Sequence, residues 1–233
     1  MLIDLNRTFY QTFSQQFSAT RQRLQPGVQS IFDHITGQED ILELGCGNGQ
    51  LASEIFSRGH QGLYTGLDSN TDFLRIAREN LPGGERIALV QGDLSSTDWD
   101  ANLPVDKYDL ILAFAVLHHI PSLVLRKQIL KKIRKLTAPG GRFMHSEWQF
   151  LNSPRLRSRI QPWEQIGITS EQVEDGDYLI DWRSGGHGLR YVHVHDSTEL
   201  ESIAADTGYK ILDSFNSDGE GGNQAIYQIW KRV

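Results

Sequence analysis

The segment 41–50 constrains the fold of this chain more than any other feature. It reads ILELGCGNGQ, a short apolar strand that carries an acid, Glu43, followed by a turn with glycine at positions 45, 47 and 49. Glycine adopts backbone angles that other residues avoid and lets a ligand approach the main chain. The dinucleotide fingerprint G-x-G-x-x-G is absent, because its third glycine position falls on Gln50 or Ala52. The spacing E-x-G-x-G-x-G suits a cationic ligand with hydroxyl groups better than a pyrophosphate.

The composition is that of an ordinary globular protein and limits its partners. The 233 residues fit one domain with a substantial core, and 39% of them are hydrophobic and 22% charged. A net charge of −6 argues against a protein that grips nucleic acid by overall charge. A single cysteine, Cys46, excludes an internal disulfide and fits a reducing compartment. Without a signal pattern or an apolar run of ~20 residues, we expect a cytoplasmic protein with no membrane contact.

Strand and helix patterns alternate along the chain. After the glycine turn, apolar segments predict strands at 63–68, 87–90, 108–114 and 142–148, with amphipathic helical patterns between them. Two late segments, 209–215 and 225–230, predict a closing hairpin. We therefore predict an α/β fold: a Rossmann-like, mostly parallel seven-stranded sheet with helices on both faces and a C-terminal antiparallel hairpin.

The domain organisation follows from this alternation. Residues 1–233 form a single predicted domain, in which 1–38 precede the first strand and predict an N-terminal helical cap over the site. The stretch 149–195 is too long for a simple connection, because loops beyond about 15 residues are uncommon unless they are functional. We interpret it as a substrate-side insertion.

Three successive predicted strands end in or near an acid, namely Glu43, Asp68 and Asp93. In open parallel sheets, ligands bind beyond the carboxyl ends of the strands. Asp68 is placed to accept hydrogen bonds from a ribose diol, and Asp93 from an adenine amino group. Glu43 would balance a positive charge on the ligand. A helix cap for Asp68 and a turn for Asp93 stay open as alternatives.

Five motifs in this order resemble those of the class I S-adenosylmethionine-dependent methyltransferases: ELGCGNG, TGLDSN, VQGDL, YDLILAFAVLHHI and L-x-APGGRF. The resemblance covers 41–150 and implies S-adenosylmethionine as the cofactor. It also implies that Gly45, Gly47 and Asn48 bind the methionine part, with Glu43 and Gly49 in the same loop. By the same resemblance, Asp68 and Ser69 bind the ribose, Asp93 and Leu94 bind the adenine, and Ala113 lies beside the sulfonium.

A narrower resemblance concerns the methyl acceptor. The segments FSATR, GDYLIDW and RYVH resemble those of the wobble-uridine carboxymethyl tRNA methyltransferases, which esterify a carboxymethyl group on an anticodon uridine. This resemblance implies that Arg21 holds the cofactor carboxylate. It also implies that Arg190, Tyr191 and His193 face the acceptor carboxylate or a phosphate.

The chain departs from that narrower pattern at two positions. Asp181 stands where the family carries a proline, and Val192 where it carries a second aromatic residue. A methyltransferase acting on a small-molecule carboxyl, oxygen or nitrogen therefore stays open. A non-catalytic binding module of the same fold stays open as well. A nicotinamide oxidoreductase would fit only a relaxed form of the dinucleotide fingerprint.

An amine or hydroxyl acceptor would need a base, whereas a carboxylate is already ionised. The candidate bases are histidines, of which His118 follows the fourth strand, where substrates meet the cofactor; the others are His119, His145, His193 and His195. His193 and His195 alternate on a predicted strand and share a face. No spacing supplies further ligands for that pair, so we predict no metal site.

The charge pattern leaves the partners open. The segment 126–135 holds six basic residues, and Arg155, Arg157 and Arg159 form a second basic cluster. Both clusters suit the phosphates of a tRNA, or the first is simply a solvated helix face. An acidic run at 171–181 argues against RNA. A tRNA, a small activating protein subunit and a small-molecule acceptor are all compatible with this pattern.

Overall fold

The computed structural model describes residues 1–20 and 23–233, and within these ranges ten strands form two sheets. In chain order the strands are β1 (Ile41–Leu44), β2 (Tyr64–Asp68), β3 (Ile87–Gln91), β4 (Tyr108–Phe114), β5 (Thr137–Trp148), β6 (Ile160–Gln161), β7 (Asp177–Trp182), β8 (Gly188–His193), β9 (Tyr209–Ser217) and β10 (Ala225–Arg232). The helices are α1 (Leu2–Ala19), α2 (Pro26–Ile31), α3 (Gln50–Ser57), α4 (Thr71–Asn80), α5 (Leu123–Leu136), α6 (Pro154–Arg157) and α7 (Ser197–Asp206).

The large sheet has the strand order β3-β2-β1-β4-β5-β10-β9. Strands β1 to β5 run parallel, and β10 is antiparallel to both of its neighbours. The predicted α/β fold, with a mostly parallel seven-stranded sheet and a C-terminal antiparallel hairpin, is confirmed. Because the chain continues from β1 to one side and from β4 to the other, a crevice opens between the carboxyl ends of these two strands.

Helices cover both faces of the sheet, since its strands are apolar on both sides. In β4, Leu110 and Leu112 pack with α2, α3 and α4, whereas Ile111 and Ala113 pack with α5 and α7. This alternation is the period of two that a strand imposes on its side chains. None of the helices in the described ranges combines the length and apolarity that a bilayer crossing needs.

Two helices that border the crevice begin in different ways. Asn70 caps α4, since its side chain accepts hydrogen bonds from the backbone N–H groups of Asp72 (2.9 Å) and Phe73 (3.2 Å). Helix α5 follows Ser122, whose side chain makes no capping bond. The carboxylate of Glu174 accepts from the Leu123 N–H instead, at 2.8 and 3.0 Å. The start of α5 is therefore capped from the segment 149–195.

The segment 149–195 contains a small antiparallel sheet, β6-β7-β8. Helix α1 is joined to β8, the last strand of this small sheet, through the buried side chain of Asn6. The Asn6 amide donates to the Tyr191 carbonyl (3.0 Å) and accepts from the Tyr191 N–H (2.7 Å). Phe9 and Phe13 of α1 pack against Trp182 of β7. The N-terminal helix and the small sheet thus form one continuous layer.

Trp230 of β10 tests the packing of the large sheet, because it is fully buried against Phe143 and Tyr209. We expect Trp230→Ala to lower the free energy of unfolding by about 3–5 kcal/mol, measured by urea denaturation. The matched control is Leu212→Ala on β9, where the side chain is 50% exposed. Its effect should stay within about 0.5 kcal/mol. Equal losses in the two variants would contradict the packing described for this face.

Candidate active site

A cavity of about 290 Å³ opens at the carboxyl ends of β1, β2 and β4. Small-molecule sites typically measure about 300–1,000 Å³, so its size is at the lower end of that range. The segments after β1, β2, β3 and β4 line its floor, and side chains of α1 and of residues 23–28 line the remainder. Of the cofactor residues predicted from the sequence, those lining it are Glu43, Gly45, Gly47, Asn48, Asp68, Ser69, Asp93 and Leu94.

The glycine turn after β1 has left-handed backbone angles at its three glycines, with φ of +65° at Gly45, +55° at Gly47 and +75° at Gly49. A Cβ at Gly45 would lie 2.7 Å from a methyl group of Val116. A Cβ at Gly47 would meet no atom within 4 Å, because this part of the turn faces the cavity. The turn therefore presents bare backbone to a ligand. Gly49 is buried and precedes α3.

Asp68 links the end of β2 to the glycine turn. Its Oδ2 accepts from the Gly47 N–H (2.9 Å), and its Oδ1 accepts from the Asn70 N–H (2.8 Å). Burial raises the pKa of Asp68, although hydrogen bonds from the backbone of Asn70, Gly47 and Ser69 oppose that rise. The carboxylate is held in a fixed orientation at the cavity wall, as a ribose-binding acid requires.

Glu43 is a buried acid next to the space for the ligand. Its Oε2 accepts from the Tyr64 hydroxyl at 2.6 Å. Burial raises the pKa of Glu43 to about 8, the Tyr64 hydrogen bond opposes this, and the nearby Asp68 charge adds to it. Without a ligand, Glu43 is therefore mostly protonated at neutral pH. A positively charged ligand would favour its ionised form.

Asp93 is held from two sides. Its Oδ1 accepts from the N–H (2.9 Å) and the hydroxyl (2.6 Å) of Ser95, and its Oδ2 pairs with the Arg7 guanidinium at 2.8 Å. Burial alone would raise the Asp93 pKa, but the bonds from Ser95 and Arg7 outweigh it and hold the pKa below its ordinary value. Arg7 lies on α1, and no signal in the sequence connects it to Asp93. This ion pair brings the helix over the predicted adenine end.

Three predicted cofactor residues are not among the eight that line the cavity: Gly49, Ala113 and Arg21. Ala113 is fully buried within β4, so the cavity is lined by the residues after it, including Ala115. Ala115 has a φ of +57°, and its N–H contacts the Ser146 hydroxyl (3.0 Å) and carbonyl (3.2 Å). Arg21 lies outside the described residues. Arg23 lines the cavity and is a second candidate for the cofactor carboxylate.

The two adjacent histidines after β4 have different surroundings. His118 is buried, accepts from the Trp148 N–H at 3.3 Å, and lies 3.4 Å from a Glu147 oxygen. His119 lines the cavity instead. His118, the catalytic candidate from the sequence, is therefore not among the residues that line the cavity, although both histidines follow the same strand.

Contacts of His119 determine which nitrogen carries its proton. Its Nδ1 lies 3.2 Å from the Tyr191 carbonyl, which can only accept, so Nδ1 is the donor. Its Nε2 therefore accepts from the Tyr10 hydroxyl at 2.7 Å. Burial, His118 and Arg190 lower the pKa of His119 well below its ordinary value. His119 is therefore a neutral imidazole, and the lone pair on its Nε2 already accepts a hydrogen bond from Tyr10.

The three predicted acceptor residues on β8 do not line the cavity. The Tyr191 hydroxyl donates to Asp177 (2.6 Å), and His193 contacts Asp177 (2.7 Å), so both face that carboxylate. The Arg190 guanidinium lies among the rings of Phe9, Trp148 and Trp182, at 5.4, 4.8 and 5.7 Å from their centroids. These residues form the layer behind His119.

Comparison with known proteins agrees with this geometry. Residues 42–143 match the family described as Methyltransferase domain. A protein of Encephalitozoon cuniculi that is named as a methyltransferase is 31% identical over 208 residues, covering 88% of this chain and 87% of its own. Malonyl-[acyl-carrier protein] O-methyltransferase of Halalkalibacterium halodurans is 24% identical over 203 residues, covering 83% and 73%.

A solved structure shares the fold over the full length. Magnesium protoporphyrin IX methyltransferase from Synechocystis PCC 6803, crystallised with bound SAH, aligns with a TM-score of 0.69 and 17% identity, covering 100% of both chains. The residues at the cavity fit such a ligand. Bare backbone at Gly47, the oriented carboxylate of Asp68 and the buried acid Glu43 would meet the amino acid, the ribose and the positively charged sulfonium of S-adenosylmethionine, respectively.

Glu43→Gln tests the role of the buried acid. The folded protein holds a proton on Glu43 that the unfolded chain releases, so its free energy of unfolding should fall as the pH rises from about 4.5 to about 8. The variant should lack this part of the fall. Its affinity for S-adenosylmethionine should drop, because the amide offers no charge to the cation. Thermal denaturation and calorimetric titration across this pH range measure both effects.

Asp72→Asn on the first turn of α4 is the matched control for Glu43→Gln, because that acid is exposed. It should change neither the affinity for S-adenosylmethionine nor the slope of stability with pH. A wild-type affinity independent of pH between about 6 and about 8 would refute the proton linkage assigned to Glu43.

Proposed function

We propose, since this chain belongs to the family of S-adenosylmethionine-dependent methyltransferases, that its acceptor is a carboxylate and its product a methyl ester. The acceptor that we favour is the carboxymethyl group of a modified tRNA uridine. A small-molecule or acyl-group carboxylate is the second candidate. The two candidates share the same chemistry and differ in what surrounds the carboxylate.

The observation that carries the proposal is the guanidinium of Arg190. The side chain is 7% exposed, and in residues 1–20 and 23–233 it has no hydrogen bond or ion pair. Three aromatic rings surround it and offset part of its lost hydration. A buried charge without a counter-ion is costly, so a carboxylate that reaches it gains a strong paired interaction. Arg190 lies close enough to His118 and His119 to lower the pKa of both.

The state of His119 also favours a carboxylate. Its Nε2 accepts the Tyr10 proton and its Nδ1 donates to Tyr191, so neither nitrogen is free to act as a base. An amine or alcohol acceptor would need such a base. A carboxylate, with an ordinary pKa near ~4, is already ionised at neutral pH. The cavity therefore suits an acceptor from which no proton has to be removed.

When bound, S-adenosylmethionine supplies a sulfonium methyl group, which bonds to a carboxylate oxygen while the carbon–sulfur bond breaks and its electron pair stays on sulfur. The protein's part is alignment and exclusion of water. Glu43 and Asp68 would hold the donor side. Arg190, which lies behind His119 and does not line the cavity, would draw the acceptor carboxylate toward that side. Tyr10 holds the ring of His119 and Asn6 holds its backbone carbonyl, both from α1, which closes the cavity.

The charges of the segment 149–195 bear on the tRNA acceptor. Three acids of the acidic run have internal partners: Glu174 pairs with Arg126, Asp177 with His193 and Asp181 with Arg183. Their negative charge is thus largely compensated inside the protein, which weakens the argument against RNA. The net charge of the run would not by itself repel a phosphate backbone.

The two basic clusters behave differently. On α5, Lys127 pairs with Asp206 and Lys132 with Asp100, so that helix offers few free cations. Arg155 and Arg157 on α6 are exposed and form no ion pair among the residues described. They are the side chains that we assign to phosphate contacts. The activating protein subunit and the cytoplasmic location stay predictions.

Arg190→Gln tests the carboxylate acceptor. We expect kcat/KM for tRNA carrying the acid-form uridine to fall by about 30-fold or more, since two charged hydrogen bonds to the acceptor are lost. Calorimetric affinity for S-adenosylmethionine should be unchanged and also reports that the variant is folded. Arg183→Gln, which removes an exposed arginine next to the same sheet, is the matched control. An Arg190→Gln enzyme as active as wild type would rule out this role.

A double variant, Arg155→Ala with Arg157→Ala, separates the two acceptor candidates. For a tRNA acceptor, KM should rise several-fold and the salt slope of binding should fall by about two, one for each lost phosphate contact. Turnover of a malonyl thioester or a fatty acid should not change. The control pair is Arg58→Ala, directly after α3, with Arg75→Ala on α4; both arginines are exposed. Absence of turnover on every acid-form tRNA would exclude the first candidate.

A further inference from the structure

A buried group of histidines and carboxylates lies beside β8, away from the residues that line the cavity. Its members come from β5, β7, β8, the loop after β8 and the first turn of α7, and we call it the histidine–carboxylate cluster: Glu147, Asp177, His193, His195 and Glu199. The sequence pattern predicts no metal site here, because it gives His193 and His195 no further ligand. The fold brings Glu199 of α7 next to them.

Three members have the donor atoms of a metal site. One atom each from His193, His195 and Glu199 lies within 4.8 Å of the other two. His193 Nε2 is 2.9 and 3.2 Å from the two Glu199 oxygens. A tetrahedral zinc ion with bonds of about 2.0–2.1 Å holds neighbouring ligand atoms roughly 3.4 Å apart. Small side-chain movements would bring this set to that geometry.

Each histidine has a buried carboxylate behind it. His193 Nδ1 lies 2.7 Å from Asp177 Oδ1, and His195 Nδ1 lies 3.3 Å from Glu147 Oε2. Metal-binding histidines almost always donate their second ring N–H to such a group, which orients the ring and makes it a stronger ligand. Two histidines backed in this way, side by side, are typical of a metal centre.

The cluster contains polar atoms that protein partners leave unsatisfied. His195 is 1% exposed and Glu147 is fully buried, yet neither His195 Nδ1 nor Glu147 Oε2 forms a well-directed hydrogen bond within the described part of the chain. The two atoms lie 3.3 Å apart as an ion pair without hydrogen-bond geometry. The His195 ring can therefore move toward a ligand without breaking a hydrogen bond.

The charge balance favours a cation as that ligand. Four carboxylates meet here, the three of the cluster and that of Glu174, and the Arg126 guanidinium pairs with two of them, Glu174 and Glu199. Arg126 competes for Glu199 at 3.3 Å, but it would keep Glu174 (2.8 Å) and the Ile120 carbonyl (3.1 Å) if Glu199 turned to a metal. The Glu199 side chain is 25% exposed, which gives a hydrated ion a route in.

We propose that the histidine–carboxylate cluster binds one zinc-class divalent cation through His193, His195 and Glu199, with water as the fourth ligand. Two imidazoles and a carboxylate are a donor set that zinc accepts readily. The ion would join β8, which carries Arg190, to α7, which packs on the large sheet. Its three ligands do not line the cavity, so the ion would take no part in the donor and acceptor chemistry there.

The test uses tag-free full-length protein, treated with chelator and titrated calorimetrically with zinc chloride. Wild type should bind one equivalent, and cobalt(II) should give the visible absorption of a tetrahedral complex. His195→Ala and Glu199→Gln should each weaken binding by about 100-fold or more, and Asp177→Asn by about 10- to 100-fold. His60→Ala is the matched control, since His60 is also buried, with both nitrogens unpartnered in the described residues.

Circular dichroism and binding of S-adenosylmethionine report whether each variant is folded. Glu199→Gln keeps the test decisive if His195→Ala does not fold, because Glu199 is partly exposed. The proposal is overturned if chelator-treated wild type shows no saturable zinc binding. It is equally overturned if folded Glu199→Gln binds zinc as tightly as wild type and His60→Ala.

Discussion

The cavity depends on the side chain of Asn6, which pairs with both backbone groups of Tyr191 as a neighbouring strand would. This contact joins residues 185 positions apart and holds α1 against β8. The same amide group donates to the His119 carbonyl, so one side chain fixes the roof of the cavity, the small sheet and the turn after β4. Because Asn6 is buried, each of these bonds is made in a low-dielectric environment, where losing one is costly.

Two ionisable side chains near the cavity are buried without a partner of opposite charge among the described residues. Glu43 is a buried acid whose raised pKa keeps it protonated until a cation arrives. Arg190 is a buried cation that aromatic rings hold without a counter-ion in the described residues. Both arrangements are unfavourable in the empty protein and improve when a ligand of opposite charge binds. Under the proposed function, the first arrangement favours a cationic donor and the second an anionic acceptor.

The segment 149–195 turns most of its charge inward. Glu174 caps α5 and pairs with Arg126, while Asp177 holds Tyr191 and His193. These contacts connect the small sheet to the large one through buried polar groups instead of through apolar packing. Such networks are sensitive to any missing partner, and the unsatisfied atoms of the histidine–carboxylate cluster stand out for that reason.

Local sequence patterns specify the sheet, its parallel strands and the cavity floor, because apolar periodicity and a glycine turn act over a few neighbouring residues. Asp68, Asp93 and the loop from Gly45 were predictable for this reason. Three contacts follow from three-dimensional packing alone: Arg7 meets Asp93, His119 and not His118 borders the cavity, and Glu199 joins His193. These contacts bring together residues distant in the chain or choose between adjacent identical ones, and no local pattern encodes either.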